Sequence, residues 1–514
     1  MYSKVNSGLT LGIDGVMISV ETDTSQGLPG LNLVGYLASS VKEAGERVRA
    51  ALKNSGISLP NRRITVNLSP ADLRKDGALF DVAIAVGIII SLEYFDISEE
   101  MYDEIQHTCF LGELGLDGSV LPVKGALPIV DRAVKSGITR VILPRENCDE
   151  ATYIKEVEVC PVTHLDDILE ILILGKWPDK YERTTEEQCV NDIHYDMADI
   201  RGQETMKQGV VMAVAGFHNI LLTGAAGAGK SMVAKCIPGI MPPLSYEESM
   251  ELTKIYSVAG LLDRSGGFVT KRPFRSLSQN ISQVTLLGGG AYSRPGEVTL
   301  ATGGVLFLDE FPEFPRSVIE SLRQPMEDKV VTVSRLKASY TYPARFMLVS
   351  ARNNCPCGFF PDRKKCKCNA REIQKYQGKI SHPIMDRIDI RLEIRPVSYR
   401  ELFSDEKGMS SDEAREKIMI ARERQEARYI NEDFTFNSEI PQGKIGDFIH
   451  LGTKEENLLQ RTYEESNMSA RGYYRILRLA RTVADINDRE DISTDDIEHA
   501  LYYRNETETS VQWL

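Results

Sequence analysis

Eight consecutive residues in the first half of the chain have the types and spacing that phosphate binding needs. They follow the apolar run Ile220–Thr223 in the order G-x-x-x-x-G-K-S: Gly224, Ala225, Ala226, Gly227, Ala228, Gly229, Lys230 and Ser231. Glycines let backbone N–H groups turn inward around phosphate oxygens, and a following helix adds its positive amino end. In this pattern Lys230 reaches the β- and γ-phosphates and the Ser231 hydroxyl binds Mg²⁺. The segment predicts an ATP site, and a glycine turn in another kind of α/β protein is the alternative.

Two adjacent acidic residues are predicted to complete this site. Val305–Leu308 is a run of four apolar residues that predicts a buried strand, and Asp309 and Glu310 follow it directly. Acids at the carboxyl end of a parallel strand lie at the sheet edge where phosphates bind. We expect Asp309 to hold Mg²⁺ and Glu310 to orient and deprotonate the attacking water. A third strand, in ARFMLVSARNN, ends near Asn353, whose side-chain amide is suited to positioning that water.

Two arginines are candidates for neutralising the charge of a phosphoryl-transfer transition state. Arg387, in SHPIMDRIDI, is placed to act on the nucleotide of a neighbouring subunit, and a surface salt bridge with Asp386 or Asp389 is the alternative. Arg471 starts a C-terminal helix from which it could fold over the γ-phosphate. Three further arginines share one face of that helix, and the preferred interpretation assigns them to its solvent side: Arg475, Arg478 and Arg481.

Four of the nine cysteines lie in two C-x-C pairs separated by eight residues: Cys355, Cys357, Cys366 and Cys368. Four thiolates can hold one Zn²⁺ tetrahedrally, and closed sites of this kind are structural. Basic residues lie between the pairs, among them Lys364 and Lys365. We therefore expect a zinc-bound basic loop that faces DNA. The alternatives are a reduced loop without metal and a zinc loop without a partner.

A second candidate for DNA contact is the segment EDKVVTVSRLKASYTYPARF. Val330–Ser334 and Ser339–Tyr342 alternate as the strands of a hairpin do, with Arg335 and Lys337 near its tip. Basic side chains at such a tip bind phosphates without reading base sequence, and the binding weakens with salt. A solvated turn is the alternative.

The elements that must position these residues fall into four regions. Residues 1–174 alternate short strands (RITVNLSP, TRVILPREN) with helical patterns (SSVKEAGERVRAALKNSG), which predicts an α+β domain. Residues 175–198 are polar and lack a period, as a linker does. Residues 199–398 repeat strand, glycine turn and helix, which predicts an α/β fold with a parallel sheet. Residues 399–514 are mostly helical in pattern and are predicted to form a helical lid domain.

Composition narrows the classes of function. The net charge of −13 argues against a protein that coats nucleic acid with its whole surface, but residues 335–400 hold 15 Lys and Arg against 5 Asp and Glu. An acidic chain with one basic region suits a site that guides a polyanion. No signal peptide is evident, and no apolar run approaches the roughly 20 residues of a membrane span. We expect a cytoplasmic protein without membrane association.

The order of these motifs resembles the magnesium-chelatase-like branch of the AAA+ ATPases, and more narrowly the competence protein ComM family. The matching segments are DIRGQE, AGFHNILLTG, RPGEVTLATGGVLFLDEFPEF, LRQPMED, ARFMLVSARNNCPCG and SARGYYRILRLAR. The resemblance covers nearly the whole chain. It implies a homo-hexameric ring with ATP at the subunit interfaces, and ATP-driven branch migration during recombination of incoming DNA. The paired histidines of the family's RSPHH stretch are replaced by Ser278 and Gln279.

The amino-terminal region resembles the Lon protease fold, a ribosomal S5 domain 2-like architecture. The matching segments are LRKDGALFDVAIAVGI, LGELGLDGSVLPVKGALPIVDRAVKSGI and RVILPREN. Lon-type enzymes use a serine nucleophile that a lysine activates. The places of these two residues fall at Leu79 and Leu127, which can neither attack a peptide nor accept a proton. The resemblance therefore implies a degenerate protease-like domain that is not a peptidase and serves assembly or the binding of DNA or a partner.

Two classes of function remain open on the sequence. The first is a DNA motor. The basic hairpin favours it, and so does the loop of residues 355–368 that carries the four cysteines, here called the cysteine loop. The second is an AAA+ remodeller of a protein partner, either a chelatase-type or a chaperone-type motor subunit, with no DNA substrate. Stimulation of ATP hydrolysis by DNA would separate the two.

Overall fold

The chain forms two compact units in the computed structural model. The structure describes residues 2–95, 97–183, 195–262, 267–290, 294–335, 338–402, 408–466 and 468–505. The first unit comprises residues 1–190, 246–269 and 293–295, and the second comprises residues 191–245, 270–292 and 296–514. Each unit has a sheet with helices packed on it, so the predicted α/β class is confirmed.

A seven-stranded mixed sheet forms the centre of the first unit, in the order β3-β4-β2-β1-β5-β8-β9. Strands β1 and β2 pair antiparallel along their whole length, from Tyr2↔Asp23 to Leu11↔Asp14, whereas β5, β8 and β9 run parallel. The strands are β1 (Tyr2–Leu11), β2 (Asp14–Ser25), β3 (Gly30–Val34), β4 (Arg63–Ser69), β5 (Thr108–Phe110), β6 (Glu113–Leu114), β7 (Val120–Leu121), β8 (Arg140–Pro144) and β9 (Glu158–Val162).

Helix α3 is the central helix of the first unit, and every one of its residues is buried. Its sequence DVAIAVGIIIS is apolar on all sides, as expected for a helix enclosed by other elements. The helices of this region are α1 (Ser39–Lys42), α2 (Ala44–Asn54), α3 (Asp81–Ser91), α4 (Glu99–Gln106), α5 (Ala126–Lys135), α6 (Arg145–Ala151) and α7 (Leu165–Leu174). The single helix predicted from SSVKEAGERVRAALKNSG is thus divided between α1 and α2 at Glu43.

A five-stranded parallel sheet organises the second unit, in the order β11-β14-β17-β10-β18. Its central strands are fully buried, because helices cover both faces of a parallel sheet. The remaining strands of the chain are β10 (Ile220–Gly224), β11 (Phe274–Leu277), β12 (Gly288–Gly289), β13 (Arg294–Pro295), β14 (Val305–Leu308), β15 (Val330–Arg335), β16 (Ala338–Pro343), β17 (Met347–Arg352) and β18 (Ile390–Ile394).

Helices surround this sheet and form the carboxyl-terminal part of the second unit. They are α8 (Glu204–Ala215), α9 (Lys230–Ile240), α11 (Gln283–Leu287), α12 (Glu297–Leu300), α13 (Arg316–Ser321), α14 (Arg323–Asp328), α15 (Ala370–Gln377), α16 (His382–Met385), α17 (Tyr399–Leu402), α18 (Ser411–Arg428), α19 (Ile445–Phe448), α20 (Thr453–Glu465), α21 (Ala470–Ile486) and α22 (Thr494–Asn505). Helix α10 (Tyr246–Ala259) lies between α9 and α11 in the sequence. Short 3-10 helices lie at Met197–Asp199, Phe311–Glu313, Asn437–Glu439 and Gln442–Lys444. In none of the helices within the described ranges is there a stretch with the length and apolarity of a bilayer span.

Helix α10 follows the phosphate-loop helix in sequence but belongs to the first unit. Lys254 Nζ lies 2.7 Å from Asp131 Oδ2 on α5, and Ser257 Oγ donates to Glu150 Oε2 at 2.5 Å. The carboxyl of Glu150 is buried, which raises its pKa. The first unit is therefore built from more of the chain than the continuous amino-terminal region that the sequence predicts.

Candidate nucleotide site and cysteine cluster

The predicted phosphate loop connects the carboxyl end of β10 to the amino end of α9. Gly229, the last residue before α9, has φ +95°, a conformation that side chains other than that of glycine rarely adopt. Lys230 Nζ donates to the carbonyl oxygens of Gly224 at 2.9 Å and Ala225 at 2.8 Å. Burial lowers the pKa of Lys230, while Asp309 and Glu310 oppose that shift. The loop therefore holds a positive charge at the end of the sheet where phosphates bind.

The other predicted site residues converge on this loop. Ser231 Oγ donates to Asp309 Oδ2 at 2.6 Å, and Lys230 Nζ donates to Asn353 Oδ1 at 2.9 Å. Asp309 and Asn353 follow β14 and β17, which are neighbouring parallel strands, so their side chains share one sheet edge. A hydroxyl and a carboxylate oxygen in contact form the type of hard oxygen donor set that Mg²⁺ prefers. These residues fit the predicted magnesium site.

Glu310 has a partner that the sequence did not indicate. Its backbone has φ +51°, and its Oε2 accepts a hydrogen bond of 2.5 Å from Gln279 Nε2. Gln279 lies just beyond β11, the neighbour of β14 in the sheet. In the sequence, Gln279 is notable only as a departure from a family pattern. A charge-assisted hydrogen bond of this length restrains the carboxylate that is predicted to activate water.

A cavity of about 350 Å³ adjoins the phosphate loop. The loop itself forms one wall through Ala225–Gly229. Other lining residues come from the DIRGQE segment and from the residues that follow β18, and they are Asp199, Ile200, Arg201, Gln203, Pro396 and Val397. A pocket beside a phosphate loop, lined by apolar side chains, a few polar side chains and backbone, has the lining that a nucleotide base and ribose require.

Arg387 and Arg471 lie together in a second cavity of about 290 Å³. This cavity also includes Asn219, the residue before the amino end of β10, whereas the phosphate loop follows the carboxyl end of that strand. Five residues at about 3.3 Å each separate these ends by roughly 15 Å. The structure therefore does not bring Arg471 to the phosphate loop of its own chain.

Glu327 is the shared partner of these two arginines. Arg387 forms an ion pair with Glu327 Oε2, and Arg471 Nη2 lies 2.9 Å from Glu327 Oε1. Burial opposes ionisation of Glu327, but the two arginines outweigh it, and the pKa of the carboxyl is lowered. Arg387 therefore pairs with Glu327, which is 60 residues away in the sequence. The alternative partners, Asp386 and Asp389, do not form this ion pair.

The assignment of three arginines to the solvent side of α21 is wrong. Arg475 forms an ion pair with the buried Asp389, and Arg478 Nη2 donates to the carbonyl of Ile440 at 2.6 Å. Arg481 is only 3% exposed and donates to two backbone carbonyls and to Asp485. A guanidinium group can be buried when carbonyl and carboxylate acceptors surround its donors, which a helical pattern alone does not reveal.

The four cysteines of the two C-x-C pairs form a cluster. All four Sγ atoms lie within 4.8 Å of one another, with Cys355 and Cys366 buried. The Sγ of Cys355 lies 3.3 Å from that of Cys357 and 3.7 Å from that of Cys366. A backbone hydrogen bond from Phe359 lowers the pKa of Cys357 to about 7. Four sulfurs at this separation fit a tetrahedral zinc site.

Basic residues lie between the cysteines of the cluster in the sequence. They are all exposed, and they are Arg363, Lys364, Lys365 and Lys367. Asp362 is the acidic neighbour, with its Oδ2 at 3.9 Å from Lys365 Nζ. The predicted hairpin is confirmed as β15 and β16, which pair antiparallel from Val330↔Pro343 to Arg335↔Ala338. Lys337 lies outside the described residues, and the structure places only the backbone of Arg335, at the end of β15.

The two places at which a Lon-type dyad would lie are apolar in the first unit. Leu127 is fully buried in α5, and its backbone N–H donates to Glu150 Oε2 at 3.3 Å. Leu79 is half-buried and packs against the core next to Phe80. These two positions offer neither a nucleophile nor a base.

Family sequence models match three parts of the chain. The model described as "Subunit ChlI of Mg-chelatase" matches residues 20–147, "Magnesium chelatase, subunit ChlI" matches residues 196–402, and "Magnesium chelatase, subunit ChlI C-terminal" matches residues 408–504. The second of these contains the phosphate loop, the acidic pair and the cysteine cluster.

Three relatives illustrate how far the similarity extends. The uncharacterized protein YifB of Escherichia coli (strain K12) is 36% identical over 98% of this chain and 97% of its own. Competence protein ComM of Haemophilus influenzae is 35% identical over 97% of each chain. The archaeal Lon protease of Halobacterium salinarum is 29% identical over 188 residues, which are 34% of this chain and 26% of that protein.

Proposed function

Since the chain belongs to the family of ComM and YifB, magnesium-chelatase-like AAA+ ATPases, we propose that it is an ATP-driven ring motor that acts on DNA. More narrowly, we propose a branch-migration helicase in the recombination of incoming DNA. The observation that carries the DNA assignment is the exposed basic group around the cysteine cluster, in a chain with a net charge of −13. A concentrated positive surface on an acidic protein is suited to holding a polyanion.

We propose a task for each residue around the phosphate loop. Ser231 and Asp309 would hold Mg²⁺, which supplies charge neutralisation for the β- and γ-phosphates. Glu310 accepts a proton from the water that attacks the γ-phosphorus, and the bond to the ADP oxygen breaks. Lys230 stabilises the charge on the phosphate oxygens, and Asn353, hydrogen-bonded to Lys230, is placed to orient the water.

Arg387 and Arg471 are proposed to act on the nucleotide of a neighbouring subunit in a homo-hexamer. Their support is their position at the sheet edge opposite their own phosphate loop, with Glu327 holding both. A charge supplied from another subunit makes hydrolysis dependent on assembly.

This division of the site predicts complementation between two inactive variants. Lys230→Ala removes the phosphate contact and Arg387→Ala removes the arginine supplied to the neighbour. In rings mixed from equal amounts of both variants, about a quarter of the interfaces combine an intact phosphate loop with an intact arginine, so we expect about a quarter of the wild-type turnover. Turnover no higher than that of either variant alone would place Arg387 in its own subunit's site or in a purely structural role.

The cysteine cluster is proposed to hold one structural Zn²⁺ through Cys355, Cys357, Cys366 and Cys368. The zinc would fix the loop that carries Lys364 and Lys365, and these two lysines, with Arg335 and Lys337 of the hairpin, are proposed to contact DNA phosphates. Metal analysis of the purified protein tests the first part, with one zinc per chain expected. A value well below one would refute it.

The first unit is proposed to serve assembly or the binding of DNA or a partner rather than peptide hydrolysis. Its support is the apolar character of Leu79 and Leu127, which stand at the places of the Lon dyad. Peptide hydrolysis by the full-length protein that survives the substitution Lys230→Ala would contradict this assignment.

ATP hydrolysis and strand movement measured together on a labelled four-way or three-strand DNA junction test the central proposal. We expect the wild type to move the branch point only with ATP, and Lys230→Ala to move nothing. Hydrolysis that DNA neither stimulates nor couples to movement would refute the DNA motor and leave the remodelling of a protein partner as the activity of this ATPase.

A further inference from the structure

The cysteine loop touches the phosphate loop directly. The backbone N–H of Ala226 donates to the carbonyl oxygen of Gly358 at 2.8 Å. Gly358 lies between the two C-x-C pairs, one residue after Cys357, and has φ +80°. A Cβ at Gly358 would lie 3.0 Å from the Cβ of Ala226, so only glycine allows this approach without displacement. The two loops therefore meet through backbone atoms, with no side chain between them.

A second connection joins the same two loops. Asn353, which accepts a hydrogen bond from Lys230, lies two residues before Cys355. The next residue, Asn354, donates from Nδ2 to the carbonyl of Phe360, and its own carbonyl accepts from Gln377 on α15. The segment that leaves β17 thus contacts the phosphate lysine first and then enters the cysteine loop.

The cysteine loop has little apolar packing to maintain its shape. Its buried cluster consists of Cys355, Cys366 and Ile373, with Phe360 and Cys368 packed against them. Two of the three buried members are themselves thiols of the proposed metal site. A small loop of this kind depends on its cross-link, because the free energy of metal binding is also its free energy of folding.

We propose that the metal-bound cysteine loop acts as a brace that holds the phosphate loop in its nucleotide-binding shape, so that loss of the metal weakens ATP binding. This inference rests on the zinc site put forward under the proposed function. Ala226 is exposed, and the carbonyl of Gly358 is the acceptor that fixes its N–H. Without the zinc, Gly358 loses its fixed position, and the phosphate loop loses this hydrogen bond.

The expected effect follows from one backbone hydrogen bond. Its loss should weaken nucleotide binding roughly fivefold, as a typical net hydrogen bond does. Binding is measured with a fluorescent, non-hydrolysable ATP analogue and Mg²⁺ on the full-length protein, with zinc content determined on the same samples. Zinc is removed with a zinc-selective chelator that leaves Mg²⁺ in place and is then restored.

Gly358→Ala tests the contact between the two loops separately from the presence of the metal. It leaves all four cysteines in place, so it should retain one zinc per chain while weakening nucleotide binding to a similar extent. Gly137→Ala is the matched control, because Gly137 has φ +86° with open space around it and lies in the first unit. Hydrogen exchange of a peptide that covers residues 224–231 should quicken on zinc removal and in Gly358→Ala, but not in the control.

The possible results lead to different conclusions. Weaker binding that returns when zinc is restored, together with the expected behaviour of Gly358→Ala, supports the brace. One zinc per chain with binding unchanged by its removal or by Gly358→Ala overturns the brace and leaves the zinc site standing. Protein purified with well under one zinc per chain overturns both. None of these outcomes depends on DNA, so a failure of the DNA proposal remains distinguishable.

Discussion

Replacement of Gln279 by alanine should raise ATP turnover in the absence of DNA. The hydrogen bond from Gln279 Nε2 to Glu310 Oε2 ties down the carboxylate that is proposed to accept the proton of the attacking water. A carboxylate that accepts such a bond is held in one direction and cannot turn freely toward the attacking water. Gln279→Ala releases this restraint and touches no phosphate contact.

The size of the effect follows from the length and exposure of this bond. A hydrogen bond to a charged group contributes about 1.5–3 kcal/mol, but Glu310 is exposed and Gln279 half-exposed, so about 1 kcal/mol is the appropriate figure here. Lowering the activation free energy of hydrolysis by about 1 kcal/mol corresponds to roughly a fivefold higher rate. The assay is steady-state phosphate release at saturating MgATP without DNA.

Gln283→Ala provides a matched control for this experiment. Gln283 is a nearby glutamine whose Nε2 donates to the backbone carbonyl of Ser317 at 2.8 Å, away from the acidic pair. Its replacement should leave turnover unchanged, and Glu310→Gln should abolish it. A fall in turnover for Gln279→Ala, toward the level of Glu310→Gln, would show that Gln279 positions the base rather than restrains it, and would refute the reasoning.

Three further outcomes are expected. Burial opposes ionisation of Asp389, but its arginine and histidine partners outweigh it and lower its pKa. Asp389→Asn should therefore cost about 3 kcal/mol of unfolding free energy at pH 7. The difference from wild type should begin to shrink as pH falls below about 4, the unfolded pKa of an aspartate, and should disappear only below the lowered pKa of the folded state. Ser257→Ala should lower the unfolding free energy by about 1–2 kcal/mol in urea titrations, because Glu150 loses a buried donor. Joint replacement of Lys364 and Lys365 by alanine should reduce the slope of log DNA affinity against log salt by about 2.

Each of these expectations has a control and a contrary result. Asp412→Asn, at a side chain that is 83% exposed, should change stability little at any pH, and a pH-independent loss for Asp389→Asn would contradict the role of its ionisation. An unchanged unfolding curve for Ser257→Ala would mean that water replaces its hydrogen bond. The control for the double lysine variant is a second double variant, Lys53→Ala with Lys135→Ala, which should leave the salt slope unchanged. If replacement of Lys364 and Lys365 also leaves the slope unchanged, the cysteine loop is excluded from the DNA-binding surface.

The convergence of the candidate nucleotide-site residues was predictable because the parts of this site are local. A phosphate loop, an acidic strand end and an amide strand end each carry their own sequence pattern, and a parallel sheet brings the carboxyl ends of its strands to one edge. The structure brings Ser231 to Asp309 and Lys230 to Asn353 as the patterns indicate. The α/β class and the hairpin followed from apolar periodicity in the same way.

Contacts between distant segments were not predictable in this way. Glu327 meets Arg471 across 144 residues, and the carbonyl of Gly358 meets the N–H of Ala226 across more than a hundred. Neither contact has a local sequence pattern. Glu327 is one of many acidic residues that could pair with an arginine, and the contact between Gly358 and Ala226 involves only backbone atoms. The buried arginines of α21 were missed since burial of a guanidinium depends on acceptors that other segments supply.

The path of the chain between its two units bears on how the protein can be divided. Because α10 completes the first unit while the segments before and after it belong to the second, a cut in the polar stretch between residues 175 and 198 would not release an intact amino-terminal piece. A fragment ending there would lack Lys254 and Ser257 and would leave Glu150 without one of its donors. Gene truncations that aim to isolate either half should therefore give less stable products, and the amino-terminal half is not a transferable module.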